Sequence, residues 1–205
     1  MRIGVLALQG DFTAHARALE VLGHDVRLVR RPSDLDLAEG VVLPGGESTT
    51  QLRLLASSRL AAPVARLVRD GAPVLATCAG LILLARTVVE PAQASLGLLD
   101  VTVARNAWGR QLDSFEGASD RLRIPLVFIR APRIREVGAE VEVLDTFAGE
   151  PILVRQGAIV AATFHPELTG DATVARMAFG PAMGDARVDR PLELGTHRLD
   201  RVVVA

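Results

Sequence analysis

Apolar positions follow two rhythms along this chain. In the first half, short apolar runs alternate with stretches of helical spacing. Residues 3–8 form an apolar run that stops at Gln9-Gly10, the profile of a strand covered on both faces. Phe12, Ala16, Leu19 and Leu22 recur at helical intervals, and Gly23 follows as a candidate C-terminal cap. The pattern predicts strands over 25–29 and 40–43, the latter running into Pro44-Gly45-Gly46. A helix capped by Ser48 or Thr49 is expected to about Leu55, another over 60–68, and a fourth strand over 73–76. Such alternation predicts an α/β fold with a mostly parallel sheet flanked by helices on both faces.

The second half is richer in short strand-like runs, at 99–103, 126–129, 141–144, 152–154 and 159–163, which predicts a small antiparallel extension. Residues 172–179 open a closing helix that Gly180-Pro181 stops. From 181 to 205 the pattern is weak. The expected division is therefore one domain over 1–180 and an atypical C-terminal tail over 181–205.

Composition narrows the function. With 205 residues, 49% of them hydrophobic, the chain is long enough for one full core and too apolar for disorder. Its 23 basic and 24 acidic side chains give no signal for nucleic acid or an anionic membrane. Every basic residue is Arg, so Schiff-base chemistry and a P-loop lysine are excluded. The single cysteine cannot form an internal disulfide, which suggests a reducing compartment. The first apolar run is too short for a signal-peptide core, and the longest uncharged stretch, 71–85, is too short to span a bilayer. A soluble, cytoplasmic protein is expected. The histidines lack metal-ligand spacing, so no metal and no cofactor is expected; His15 reads as a helix residue, His24 as a turn residue and His197 as part of the tail.

That cysteine is Cys78, in Ala76-Thr77-Cys78-Ala79-Gly80, between a strand-like and a helix-like run. A strand turning sharply into a helix places the thiol at the helix N-terminus, where thiolate is favoured. Ala79-Gly80 supplies the small residues such an elbow needs. Alone, a cysteine here also reads as a small buried hydrophobe. Far downstream, His165-Pro166-Glu167 reads alone as a solvated turn; paired with the elbow it supplies a general base and the carboxylate that orients it. Gly45-Gly46 offers close-approaching backbone donors, and the N–H groups of Gly46 and Ala79 are candidates for an oxyanion hole; the same loop also reads as a tight turn with a helix cap. Arg130 closes an apolar strand, where it meets either a substrate carboxylate or a carboxylate of the protein.

These blocks resemble class I glutamine amidotransferase domains, and in finer detail the family of glutaminase subunits of pyridoxal 5′-phosphate synthases. The resemblance runs from residue 3 to about 170 through Leu8-Gln9-Gly10, 43–50, 77–82, 96–99, Arg105-Asn106, Gly109-Arg110-Gln111, 113–116, 128–132 and 164–168. It implies a three-layer, flavodoxin-like α/β sandwich that hydrolyses L-glutamine to glutamate and ammonia. The ammonia passes to a synthase subunit, which in the family also raises the glutaminase activity by completing the oxyanion hole. By position Cys78 matches the nucleophile, His165 the base and acid, and Glu167 the orienting carboxylate. Gly46, Glu47, Ser48, Arg105, Ile129 and Arg130 match glutamine-binding positions, and Gln9 a partner-facing one. A glutaminase serving a different synthase, a cysteine peptidase and a non-catalytic scaffold remain as alternatives.

Overall fold

Burial along the strands tracks their place in a seven-stranded sheet. The computed structural model describes residues 1–105, 107 and 115–180. Strands β1 (Arg2–Leu6), β2 (Asp25–Val29), β3 (Gly40–Leu43), β4 (Val74–Thr77) and β12 (Ile159–Ala162) run parallel, in the order β12-β4-β3-β1-β2. The interior strands β3, β4 and β12 are buried at every residue, whereas β2, at the edge, exposes Asp25 and Arg27. Beyond β12 the sheet continues antiparallel through β11 (Glu150–Gln156) and β10 (Glu142–Phe147). This is the extension the sequence predicts.

Alternating side chains in each strand feed two cores. Val41, Leu43, Val74 and Ala76 face one side, with helices α2 (Ser48–Ser57), α3 (Ala61–Arg69) and α4 (Ala79–Leu84). Val42, Leu75, Val160 and Ala162 face the other, with α1 (Phe12–Val21) and α5 (Thr173–Phe179). The result is a three-layer sandwich. A three-stranded sheet, β5 (Ala85–Val89), β6 (Leu99–Ala104) and β9 (Arg133–Val137), adjoins the first core, and a hairpin of β7 (Phe115–Ala118) and β8 (Pro125–Phe128) the second.

Three expectations need adjusting. The helix after the elbow is shorter than its apolar run suggests: it ends at Leu84, and Ala85 starts a strand whose Arg-Thr-Val-Val continuation favours β structure. Strand β9, Arg-Ile-Arg-Glu-Val, is not among the predicted runs, because its outward face is charged. Helix α2 is capped by Glu47, whose carboxylate accepts from the Thr49 N–H at 3.1 Å, and not by Ser48 or Thr49. The closing helix does end at Gly180, which takes φ +68°. Asn106, 109–111, 113–114 and the tail 181–205 lie outside the described residues. No helix of the described residues is long and apolar enough to cross a membrane.

Candidate active site

Four of the five parallel strands, β1, β3, β4 and β12, end on the same side of the sheet with their following loops converging there. Strand β4 stops at Thr77, and Cys78 bends the chain into α4 with φ +47° and ψ −102°. A non-glycine residue at positive φ is held only where its surroundings over-determine it. Here Cys78 N–H donates to Ala162 O at 2.9 Å, and α4 passes so close to β3 that a Cβ on Gly80 would strike the Leu43 carbonyl. Gly80 is thus a packing requirement of the elbow. Ala79 is the first residue of α4, so its N–H has no intrahelical acceptor and stays available beside the sulfur.

Downstream of β12, Phe164 is fully buried and His165 N–H donates to Val127 O at 2.9 Å, which ties this loop to β8. Pro166–Leu168 then forms one 3-10 turn. That turn brings Glu167 back: its Oε1 lies 2.8 Å from His165 Nδ1. A carboxylate only accepts, so Nδ1 carries a proton and Nε2 is left for the sulfur. His165 is 6% exposed and Glu167 9%. Burial disfavours charge on His165, but its hydrogen bonds to Cys78 and Glu167, and their negative charge, raise it to about 10. Burial likewise opposes the Glu167 charge, and His15 and His165 together hold the carboxyl far below the usual range. Cys78, 5% exposed, also has its sulfur 3.9 Å from the Ile129 carbonyl.

The Gly-Gly loop packs directly on this assembly. A Cβ on Gly45 would collide with the His165 ring, and one on Gly10 with the Gly45 carbonyl. Gly46 takes φ +148°, and a Cβ there would sit 2.5 Å from Gln9 Oε1. Gln9 accepts from the Glu47 N–H at 2.8 Å, while Gln51 Nε2 reaches the Gln9, Pro44 and Gly45 carbonyls at 2.9, 3.2 and 3.2 Å. Gln9 and Gln51 are therefore struts that fix where the Gly46 backbone points.

Cys78 and His165 open into a cleft of about 280 Å³. Gly46, Glu47, Ser48, Arg105, Ile129 and Arg130, scattered through the sequence, all line it, and Ile82 adds an apolar wall. Arg105 Nη2 lies 3.4 Å from Glu47 Oε1. Hydrogen bonds from Thr49 outweigh the opposing effect of burial on Glu47, and Arg105 and Arg130 add to them, so its carboxyl lies below its ordinary value. Arg130 sits past the end of β8, exposed and at φ +47°, so burial cost does not explain it; its guanidinium borders open cleft. Ser48 is buried, its hydroxyl donating to Gln93 Oε1 at 2.9 Å. Among the described residues no group of His, Cys, Asp or Glu side chains is placed to hold a metal.

Sequence reasoning misses three contributors. Gln51 carries no motif signal beyond its place one helical turn after Glu47. Thr77 is hidden by its role as the last residue of a strand. His15, read as an ordinary helix residue, is buried with its Nε2 3.0 Å from Thr77 Oγ1 and 3.3 Å from Glu167 Oε2. His24 is also buried, edge-on to Phe179, away from the cleft.

Known proteins resemble this chain over most of its length. Residues 5–179 match the model of the SNO glutamine amidotransferase family. The chain is 52% identical over 178 residues to the pyridoxal 5′-phosphate synthase subunit PdxT of Koribacter versatilis, covering 85% of this chain and 92% of that one. It is 49% identical over 176 residues to the PdxT of Thermotoga neapolitana, covering 83% and 94%. A crystal structure described as a glutamine amidotransferase superposes with a TM-score of 0.79 at 43% identity, covering 86% of this chain and 98% of the other.

Proposed function

The chain belongs to the SNO glutamine amidotransferase family, and on that premise we propose that it is the glutaminase subunit of a pyridoxal 5′-phosphate synthase. It hydrolyses L-glutamine to L-glutamate and ammonia and delivers the ammonia to a synthase subunit. The observation that carries this reading is one arrangement: Cys78 and His165 line a cleft together with Glu47, Arg105 and Arg130, and the buried Glu167 holds His165 through Nδ1. Two guanidiniums beside a carboxylate complement the α-carboxylate and α-ammonium of an amino acid, and a cleft of about 280 Å³ suits a molecule of that size better than a peptide chain.

On this reading the chemistry runs through atoms of this chain. The Cys78 sulfur adds to the carboxamide carbon, and the carbonyl oxygen takes up the charge facing the Gly46 and Ala79 N–H groups. His165, protonated through its contacts with Cys78 and Glu167, gives its Nε2 proton to the departing nitrogen. The C–N bond breaks, ammonia leaves, and a thioester remains on Cys78. Neutral His165 next takes a proton from water, which adds to the thioester; collapse expels the sulfur and releases glutamate. Glu167 keeps Nδ1 protonated throughout.

The partner acts on the Gly-Gly loop. On this reading a docked synthase reaches that loop through Gln9, which accepts from the Glu47 N–H, and completes the oxyanion hole. Residues 1–180 make up the glutaminase domain, and an unprotected thiol nucleophile suits the reducing cytoplasm. To test the reading, glutamate and ammonia are measured with the protein alone, mixed with a synthase subunit, and with Cys78→Ala in the same mixture. Turnover that rises on mixing and falls at least about a thousandfold in the variant is expected. A variant as active as the natural chain contradicts it.

A further inference from the structure

Glu167 holds His165 with one carboxylate oxygen and leaves the other pointing back into the protein. That second oxygen, Oε2, is buried with no hydrogen-bond partner of good geometry among the described residues, and His15 Nε2 lies 3.3 Å from it. His15 comes from α1, on the opposite end of the chain from Glu167, and its side chain is 3% exposed. The same Nε2 lies 3.0 Å from the hydroxyl of Thr77, the residue preceding the nucleophile. Thr77 is fully buried.

The chemistry selects the tautomer. A bare Nε2 would turn a lone pair toward an anionic oxygen and leave Oε2 with no donor, a costly arrangement in a buried site. A protonated Nε2 donates to Thr77 Oγ1 at 3.0 Å and sets the same positive hydrogen beside the anionic Oε2, 3.3 Å from the nitrogen. The contacts then form a closed circuit: Cys78 to His165, His165 to Glu167, Glu167 to His15, His15 to Thr77, and Thr77 through one peptide bond back to Cys78.

We propose that His15 is a positioning residue of this active site, donating from Nε2 to Thr77 and setting the same hydrogen beside Glu167 so that the carboxylate, and through it the His165 ring, stays aligned on the sulfur. His15 does not line the cleft. It acts on the reaction through Glu167, so its loss lowers turnover and leaves substrate binding in place. The inference rests on the glutaminase reading above.

The test uses the complex with the synthase subunit and compares the natural chain with His15→Leu and His15→Gln. The glutamine side chain carries an amide N–H at about the reach of Nε2, and leucine carries no donor. His15→Leu is expected to lower kcat for glutamine about 10–100-fold, the usual cost of losing an outer-layer partner, with KM within about threefold. His15→Gln is expected to keep at least about a third of the natural kcat. A His15→Leu variant with undiminished kcat overturns the proposal, as does a His15→Gln variant as impaired as His15→Leu. Nitrogen-15 NMR of histidine-labelled natural protein gives an answer that needs no variant to fold: a neutral Nδ1-protonated His15 overturns the proposal, and a proton on Nε2 supports it. If the natural complex itself releases no glutamate, the glutaminase reading fails; the NMR result still reports on His15.

Discussion

Cys78, His165 and Glu167 differ in how each is held, and each mode of restraint has its own signature. The sulfur is placed by backbone, at φ +47° in a turn closed by Ala162 and Leu43. The imidazole and the carboxylate are placed by charge. Glu167 titrates below its ordinary value when folded, so its contribution to stability is complete above the unfolded carboxyl value near about 4.3 and is lost as the pH falls below it. His165 titrates near 10 when folded, so its contribution is complete below the unfolded value near about 6.5 and is lost as the pH rises through 10. Urea unfolding at a series of pH values checks both signs. The advantage of the natural chain over Glu167→Gln is expected to shrink from pH about 6 toward 3, and its advantage over His165→Gln to shrink from pH about 7 toward 10. An advantage that does not vary with pH contradicts the assigned charges. At this scale the sequence was legible where chemistry is local: a cysteine between small residues, a histidine two positions from a glutamate. It was silent on His15, because an imidazole on a helix carries no mark of the carboxylate that the fold brings to it.

Among the elements, those whose burial is uniform were the readable ones. Strands β3, β4 and β12 are apolar at nearly every position because helices cover both faces, and their runs stand out. Strand β9 carries Arg133, Arg135 and Glu136, and its exposed face hides the period-two pattern. The cap of α2 was missed for a related reason: Ser and Thr are the commoner caps, but Glu47 is fixed by Gln9 and Arg105 and reaches Thr49 from there. The elbow also makes a prediction about stability. Gly80→Ala puts a methyl group against the Leu43 carbonyl, forcing α4 away from β3. It is expected to cost about 1–3 kcal/mol in denaturant unfolding and to lower turnover more than a Cβ in a free helix would. A Gly80→Ala protein of unchanged stability and activity contradicts the packing described for the elbow.

The molecule as a whole assembles one site from loops that follow four different strands. Gln9 follows β1, the Gly-Gly loop β3, Cys78 β4 and His165 β12. The parallel sheet makes this possible, since consecutive parallel strands deliver their C-terminal ends to one edge. The alternation of strands and helices showed the layers in advance; the cleft itself was not legible, because Arg105 and Arg130 approach Glu47 only when the second half folds back over the sheet. The central claim is that the sulfur of Cys78 becomes covalently bonded to the substrate. Rapid acid quenching of the synthase complex during glutamine turnover, followed by peptide mass spectrometry, tests it most directly. The account predicts a glutamyl group on the peptide that contains Cys78, absent when Cys78 is replaced by alanine. Sustained glutamate release with that peptide unmodified at every quench time, and undiminished in Cys78→Ala, would contradict it.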